Sequence, residues 1–253
     1  MSYRHQNELQ FGMVVTSKAE EVGYAVENVV GRNGNIATTF EEVWDQGGAY
    51  TFMSAAAPLY LSSSNSGDVQ VVVATVLDAN WNEVQITTTL TGQTAIVLTG
   101  GADYIRVQKI EIASAPAGDI YIAESDTYGT PGVPDTATKI HGKILAGNLR
   151  TQMAIVSVPV NQNGFVYEFC LNNPDVISGT ADLLIREFGS DVWRLQHQLI
   201  ASSTIFGGSV HKSWKFPRFA PPKSDIVIRM KSASSTISGD VNFESVRAPL
   251  TRS

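Results

Sequence analysis

The chain has 253 residues, of which 43% are hydrophobic and 17% charged, with a formal net charge of −6. That much apolar side chain excludes disorder throughout, and the length allows one large β domain or two of ordinary size. A single cysteine, Cys170, excludes an intrachain disulfide and a cysteine-built zinc site, so stability has to come from packing or assembly.

Residues 1–48 carry seven acidic and three basic side chains with several Gly and Asn. Ser17 to Val30 opens on a capping-box pattern, Ser17 with Glu20, and predicts a short helix that Gly23 weakens. Gly31-Arg32-Asn33-Gly34-Asn35 reads as a turn cluster. The segment 1–48 is expected to be an extended arm outside any core. On a partner it would bury Phe11, Val14, Val15, Phe40, Val43 and Trp44, with Trp44 as the anchor. The apolar run Phe11 to Val15 is too short for a signal-peptide core, and no stretch approaches the roughly 18 apolar residues of a membrane span. Synthesis in a cytoplasm is expected, with release by a route that needs no signal, such as lysis of a host cell.

From Ala49 onward short strands follow one another. Val69–Val76, Val84–Leu90, Ala95–Leu98, Tyr104–Ile112 and Ile120–Ala123 are rich in Val, Ile and Thr. Turn signals such as Asn65-Ser66-Gly67-Asp68 and Asp78-Ala79-Asn80 separate them. That spacing predicts a sandwich or barrel, and no intervening helical pattern supports a doubly wound nucleotide-binding fold. Within Asp103–Ile112 the apolar alternation changes phase between Val107 and Ile110, which predicts a bulge or a crossing between sheets.

Thr127 to Thr138 holds two prolines and two glycines and is the linker candidate. A second strand series follows: Met153–Val160, Phe165–Leu171, Leu183–Phe188, Trp193–Ile200, Val210–Phe216, Ile226–Met230 and Val241–Val246. The expected architecture is all-β: an arm at 1–48, a β-sandwich at 49–126, a linker at 127–148 and a second sandwich at 149–253, each sandwich jelly-roll or immunoglobulin-like. Gly118-Asp119-Ile120-Tyr121-Ile122 echoes Gly239-Asp240-Val241-Asn242-Phe243, which marks either a duplicated sandwich or chance.

Charge divides the chain, with net −4 over 1–48, −5 over 49–148 and +3 over 149–253. The asymmetry suggests distinct surfaces and head-to-tail packing of acidic and basic parts. The balance does not make nucleic acid the default partner.

Catalytic patterns are missing. The four histidines, His5, His141, His197 and His211, form no metal-binding pair at helical spacing. Asp78-Ala79-Asn80-Trp81-Asn82 opens like a calcium loop, but Glu83 and Thr89 stand where Gly and Glu are required, so a hairpin turn is expected. Glu41-Glu42 and Glu124 with Asp126 could be offered as glycosidase carboxylates, yet sequence does not give their separation. No nucleophile elbow or phosphate loop occurs. No catalytic residue, cofactor or metal is therefore expected. Cys170 reads as a buried structural thiol, and His197 as a core or interface histidine.

His211-Lys212-Ser213-Trp214-Lys215-Phe216-Pro217-Arg218-Phe219 mixes basic and aromatic residues. An edge strand would turn Lys212, Trp214 and Phe216 one way and His211, Ser213 and Lys215 the other. Its readings are a buried aromatic face with a solvated basic one, contact with an acidic protein surface, or nucleic acid. Lys212, Lys215 and Arg218 join Phe11, Phe40 and Trp44 as candidate partner-binding residues.

Two sets of residues carry a family resemblance. Gly31-Arg32-Asn33 followed by Thr38-Thr39-Phe40-Glu41-Glu42-Val43-Trp44-Asp45-Gln46-Gly47-Gly48-Ala49-Tyr50 resembles a segment near the start of proteins of marine and aquatic tailed phages. Leu59-Tyr60-Leu61-Ser62-Ser63-Ser64, Gly118 to Glu124 and Pro221 to Arg229 are similar to the β-rich body that follows it there. The resemblance implies a virion structural component and supplies no catalytic residues. It points to a protein that decorates or cements the capsid, or occupies a head vertex, and binds the major capsid protein or other virion proteins. By analogy with trimeric capsid positions, it implies a homotrimer. The rival readings are a tail adhesin that binds host glycan or receptor through Trp81, Tyr121 or Trp214, and a glycan-degrading tail enzyme.

Overall fold

The computed structural model describes residues 25–98, 103–172, 178–201, 209–234 and 237–249. Its regular elements are strands: β1 (Ala25–Ile36), β2 (Glu41–Glu42), β3 (Leu59–Ser63), β4 (Val71–Asp78), β5 (Glu83–Thr89), β6 (Ile96–Val97), β7 (Tyr104–Ile112) and β8 (Ile120–Glu124). They continue with β9 (Ile140–Ile144), β10 (Ile155–Ser157), β11 (Gln162–Asn172), β12 (Gly179–Arg186), β13 (Arg194–Ala201), β14 (Ser209–Ala220), β15 (Asp225–Ser232) and β16 (Ile237–Pro249). A 3-10 turn, Ala137–Lys139, precedes β9.

The strands form two β-sandwiches. In the first, the sheet β6-β3-β8-β9 faces the sheet β5-β4-β7. Leu59 and Leu61, Val72, Ala74 and Val76, and Ile120 and Ile122 recur at every second position and point into one shared core, as the period of a strand requires. In the second, β1-β16-β11-β14 faces β10-β15-β12-β13, with β2 also paired to β15. Phe169, Phe243, Leu183, Ile228 and Met230 fill the space between them. The phase change expected in β7 is present: the β4–β7 ladder shifts register between Thr75 and Val76, so that Gln108 has no opposite number.

The arm expected at 1–48 is corrected over its described part, residues 25–48. β1 pairs with β16 from Ala25↔Arg247 to Ile36↔Ile237, so neither a helix through Val30 nor a free turn at Gly31–Asn35 exists. Gly31 fits there because a Cβ would lie 2.5 Å from the Ala154 Cβ and 2.6 Å from the Val43 carbonyl oxygen. Residues 1–24 of the expected arm lie outside the described residues. The linker expected at 127–148 is also corrected, because β9 is the edge strand of the first sandwich. The Pro/Gly stretch before it is pinned: Asp126 accepts from the Thr136 backbone N–H (2.7 Å) and Asp135 from that of Gly129 (2.5 Å).

A third apolar cluster joins the sandwiches. Tyr121, Ala123 and Ile140, on β8 and β9, meet Ile155, Leu184 and Val227, on β10, β12 and β15, around Trp44, Tyr50 and Met153. These residues alternate with core positions on their own strands, so each sheet buries both faces here. Beside the cluster, Arg106 and Gln108 of β7 cross to Asp225 and Ser157.

Candidate interaction surface

β13 and β14 are the terminal strands of the two facing sheets of the second sandwich, and among the described residues each has one unpaired edge. The His197 and Trp214 rings meet edge to face across the gap at 5.5 Å. The two strands thus form one side wall of the sandwich, where backbone N–H and C=O groups have no ladder partner among the described residues.

β13 keeps Leu199 and Ala201 in the core. Alternation therefore turns Ile200 outward, where it is 61% exposed. Leu195 is also exposed, beyond a register shift that leaves Gln196 unpaired.

β14 departs further from a regular strand. Val166↔Arg218 is followed by Glu168↔Ser213, so four residues, Trp214 to Pro217, stand opposite Tyr167 alone. The excursion folds Trp214 back against the core and throws Phe216 outward, leaving it 73% exposed. This corrects the expectation that Phe216 shares a buried face with Trp214: the bulge breaks the period of two. Phe219 is exposed on the outward face, with its ring 5.6 Å from that of Phe165.

The wall is cationic. Among the described residues Lys212, Lys215 and Arg218 have no ion-pair partner. The Arg218 guanidinium lies over the Trp214 ring at 5.4 Å, and the buried Arg218 Nε and Trp214 Nε1 have no hydrogen-bond partner among the described residues. Burial, then the positive charges of Lys212 and Arg218, lower the pKa of His197. The same features guard the edge. Pro217 has no N–H to donate, and lysines on an edge strand disfavour pairing with another copy of that strand.

Three of the six residues picked from the sequence, Lys212, Lys215 and Arg218, meet on this wall; the others do not. Phe40 is half-buried beneath Arg229 (4.5 Å) and Lys231 (4.7 Å) of β15. Trp44 is 2% exposed, its Nε1 donates to the Gly48 carbonyl and its ring packs edge-on against Tyr50. It is therefore a core residue and not an interface anchor. Phe11 lies outside the described residues. Sequence reasoning missed Leu195 and Ile200, because a large apolar residue on a strand reads as core until the inward register is known.

The other candidates resolve as structural groups. Asp78 accepts from the backbone N–H groups of Asn80 and Asn82, which is the expected turn. Glu41 accepts from the Ala37 N–H and Glu42 from that of Tyr50. His141 is fully buried with Nε2 2.9 Å from Glu124, and burial lowers its pKa against the opposing effect of that carboxylate. Trp81 and Tyr121, offered as sugar-stacking platforms, are buried. Cys170 is half-exposed and not buried as expected, because its neighbour Phe169 takes the core position; its Sγ is 3.1 Å from the Ser209 hydroxyl. Among the described residues no group of three or more His, Cys, Asp or Glu could hold a metal ion, and no helix is long and apolar enough to cross a membrane.

No family model and no curated protein matches the chain. Among solved structures, the infectious bursal disease virus Gx strain overlaps 91% of this chain and 73% of its own, at 8% identity and a TM-score of 0.28. Cowpea mosaic virus, as naturally occurring empty particles of its top component, overlaps 75% and 82% at 9% identity and a TM-score of 0.22. A tandem pair of CBM22 domains from Paenibacillus barcinonensis Xyn10C overlaps 92% and 94% at 9% identity and a TM-score of 0.26. At such TM-scores these overlaps carry no argument about what the chain does.

Proposed function

We propose that this chain is a non-enzymatic structural protein of a tailed-phage particle that decorates or cements the capsid, or occupies a head vertex, as a homotrimer bound to neighbouring capsid subunits. The observation that carries the reading is the β13–β14 wall. It exposes Phe216 beside Lys212, Lys215 and Arg218, which have no ion-pair partner among the described residues, with Leu195 and Ile200 exposed on the outer face of one sheet and Phe219 on that of the other. A monomer gains nothing by exposing such side chains, whereas an interface core uses aromatic anchors within a polar rim. A stable contact buries about 1,200–2,000 Å², and a repeating lattice multiplies its effect. The family resemblance of the Thr38–Tyr50 segment supplies the particle. The adhesin reading loses two of its three platforms, since Trp81 and Tyr121 are buried.

Quantitative mass spectrometry of purified particles tests this reading. Hundreds of copies are expected. A dozen copies or fewer would move the chain to the tail, and none would remove it from the virion.

A further inference from the structure

The mouth of the second sandwich, between β13 and β14, gathers side chains that face inward. Residues opposite each other in adjacent strands share a face. Lys212 stands opposite Phe169 and Arg218 opposite Val166, both core residues, so these two cations lie on the inner face of their sheet. Trp214 lies between them in the chain and packs against the same core. From the facing sheet, His197 stands opposite Leu183, again a core residue. The four groups meet. The Trp214 ring centre is 5.4 Å from the Arg218 guanidinium and 5.5 Å from the His197 ring, and Lys212 and Arg218 both act on the His197 charge. The carboxylates of the adjoining strands turn the other way. Glu168 of β11 stands opposite Ser213 and Asp182 of β12 opposite Gln198, on the outer faces, and Asp182 is taken up by Gln198 and Arg229.

The three groups from β14 are donors short of an acceptor. Among the described residues Lys212 and Arg218 have no ion-pair partner, and the buried Arg218 Nε and Trp214 Nε1 have no hydrogen-bond partner. An ammonium, a guanidinium and an indole N–H can only donate, so these side chains cannot satisfy one another. Buried donors left unpaired cost stability, and a bound ion is one way they are satisfied. The group that completes this mouth accepts hydrogen bonds and carries negative charge. We propose that the mouth between β13 and β14 is a binding site for one oxyanion group, a phosphate or a carboxylate. Lys212 is exposed and Arg218 half-exposed, so the anion reaches both from solvent. The guanidinium fork matches two oxygens, and the ammonium adds a point charge. Trp214 stands in the four-residue bulge, outside the strand ladder, which lets its indole turn the N–H to the same anion. The site is a property of one chain and stands apart from the assembly reading. Its anion has two possible sources: inorganic phosphate in solution, or an Asp or Glu side chain of a neighbouring subunit.

Nuclear magnetic resonance of the full chain, labelled in its histidine rings, reads the site through His197, whose signal is assigned with His197→Gln. Inorganic phosphate is titrated at constant ionic strength, held with sodium chloride. The His197 signal is expected to move to saturation as for one site, and its titration midpoint to rise, because the anion offsets Lys212 and Arg218. Lys212→Gln, an exposed position, and Trp214→Phe, which keeps a ring and loses the donor, should each raise the half-saturating phosphate concentration about 10-fold, near the worth of one charge-assisted hydrogen bond. Arg218→Gln should abolish saturation. A signal that moves linearly with phosphate, that chloride alone reproduces, or that Lys212→Gln and Arg218→Gln leave unchanged overturns the site. Sedimentation of the associated protein then separates the sources. Saturating phosphate that lowers its mass shows that a neighbour's carboxylate occupies the site; phosphate that binds without changing the mass shows a site for the free anion. A chain that binds phosphate and never associates keeps the site and loses the assembly reading.

Discussion

Arg106 of β7 and Asp225 of β15 hold the two sandwiches together through a two-point ion pair, Nε to Oδ1 at 2.9 Å and Nη2 to Oδ2 at 3.1 Å. Both side chains are nearly excluded from water, and Arg186 and the Ser157 hydroxyl donate to the same carboxylate. The Arg106 guanidinium also donates to the Met53 and Ile105 carbonyls and lies between the Phe52 and Trp81 rings, at 5.0 and 4.8 Å. Trp81 reaches this position from a turn in which its own φ is 67°, a costly conformation for a bulky residue.

Asp225→Asn should therefore destabilise the fold strongly. It leaves two arginines without their counter-charge, and breaking one side of a buried pair costs about 3–5 kcal/mol. Urea unfolding of the variant should show that loss, together with earlier separation of the two sandwiches. A variant within 1 kcal/mol of the parent, taken as roughly the worth of an exposed pair, would show the cluster to be solvated.

Asp45 gives the protein an opposite response to pH from that of an ordinary paired carboxylate. Burial raises its pKa to about 7, against the lowering influence of the Gln152 N–H it accepts from and of Lys143 and Arg32. A folded-state value above the unfolded one means that the ionised group opposes folding. The penalty is complete above pH 7 and is relieved as pH falls through 7 toward the unfolded value near 4. Asp45→Asn retains an oxygen to accept from Gln152 and should raise the melting temperature at pH 8 more than at pH 5. An equal gain at both pH values would contradict this assignment.

Gly132 pins the stretch that reads in sequence as a linker. Its φ is +76°, and a Cβ there would lie 1.8 Å from the Ser63 carbonyl oxygen. Gly132→Ala should lift residues 127–138 off β3 and make them a preferred site of limited proteolysis, while the parent resists cleavage there. Equal cleavage of the two proteins would show the stretch to be loose already.

Most strands could be read from the sequence, because they alternate or run apolar between turns; β4, β5, β7, β11 and β15 fall within a few residues of their expected spans. β1 could not be read this way. Gly31, Arg32, Asn33 and Gly34 have low strand propensity, and long-range pairing with β16 overrides it. β9, with Gly142 at its centre, was hidden for the same reason: Gly142 sits against Ile122 and Val107, where a side chain would not fit. The basic half of the interaction wall was visible as a charge run. Its apolar half depended on two register shifts, which a period of two does not encode.

Substituting Lys212, Lys215 and Arg218 with Ser should weaken association at low salt and have little effect at high salt, since exposed charges are screened within about 8 Å at physiological ionic strength. Light scattering of the full chain across a salt series measures this. Association insensitive to both salt and substitution would assign the contact to the apolar residues alone.

Trp44→Ala separates an arm residue from a core residue. An arm anchor, once truncated, would leave the melting temperature alone and abolish assembly. The structure instead seats Trp44 in the cluster between the sandwiches, bridged to Met153, packed on Tyr50 and hydrogen-bonded to the Gly48 carbonyl. Truncation there removes a fully buried indole and leaves a cavity that the surrounding strands cannot close. Such Trp→Ala changes cost about 3–5 kcal/mol, a large share of a typical domain's stability. The variant should unfold at lower urea and lose assembly only in proportion to the folded protein lost. Trp44→Phe, which keeps a ring against Tyr50 and loses the Nε1 donor, should recover most of that stability. An unfolding midpoint unchanged by Trp44→Ala would remove Trp44 from the core.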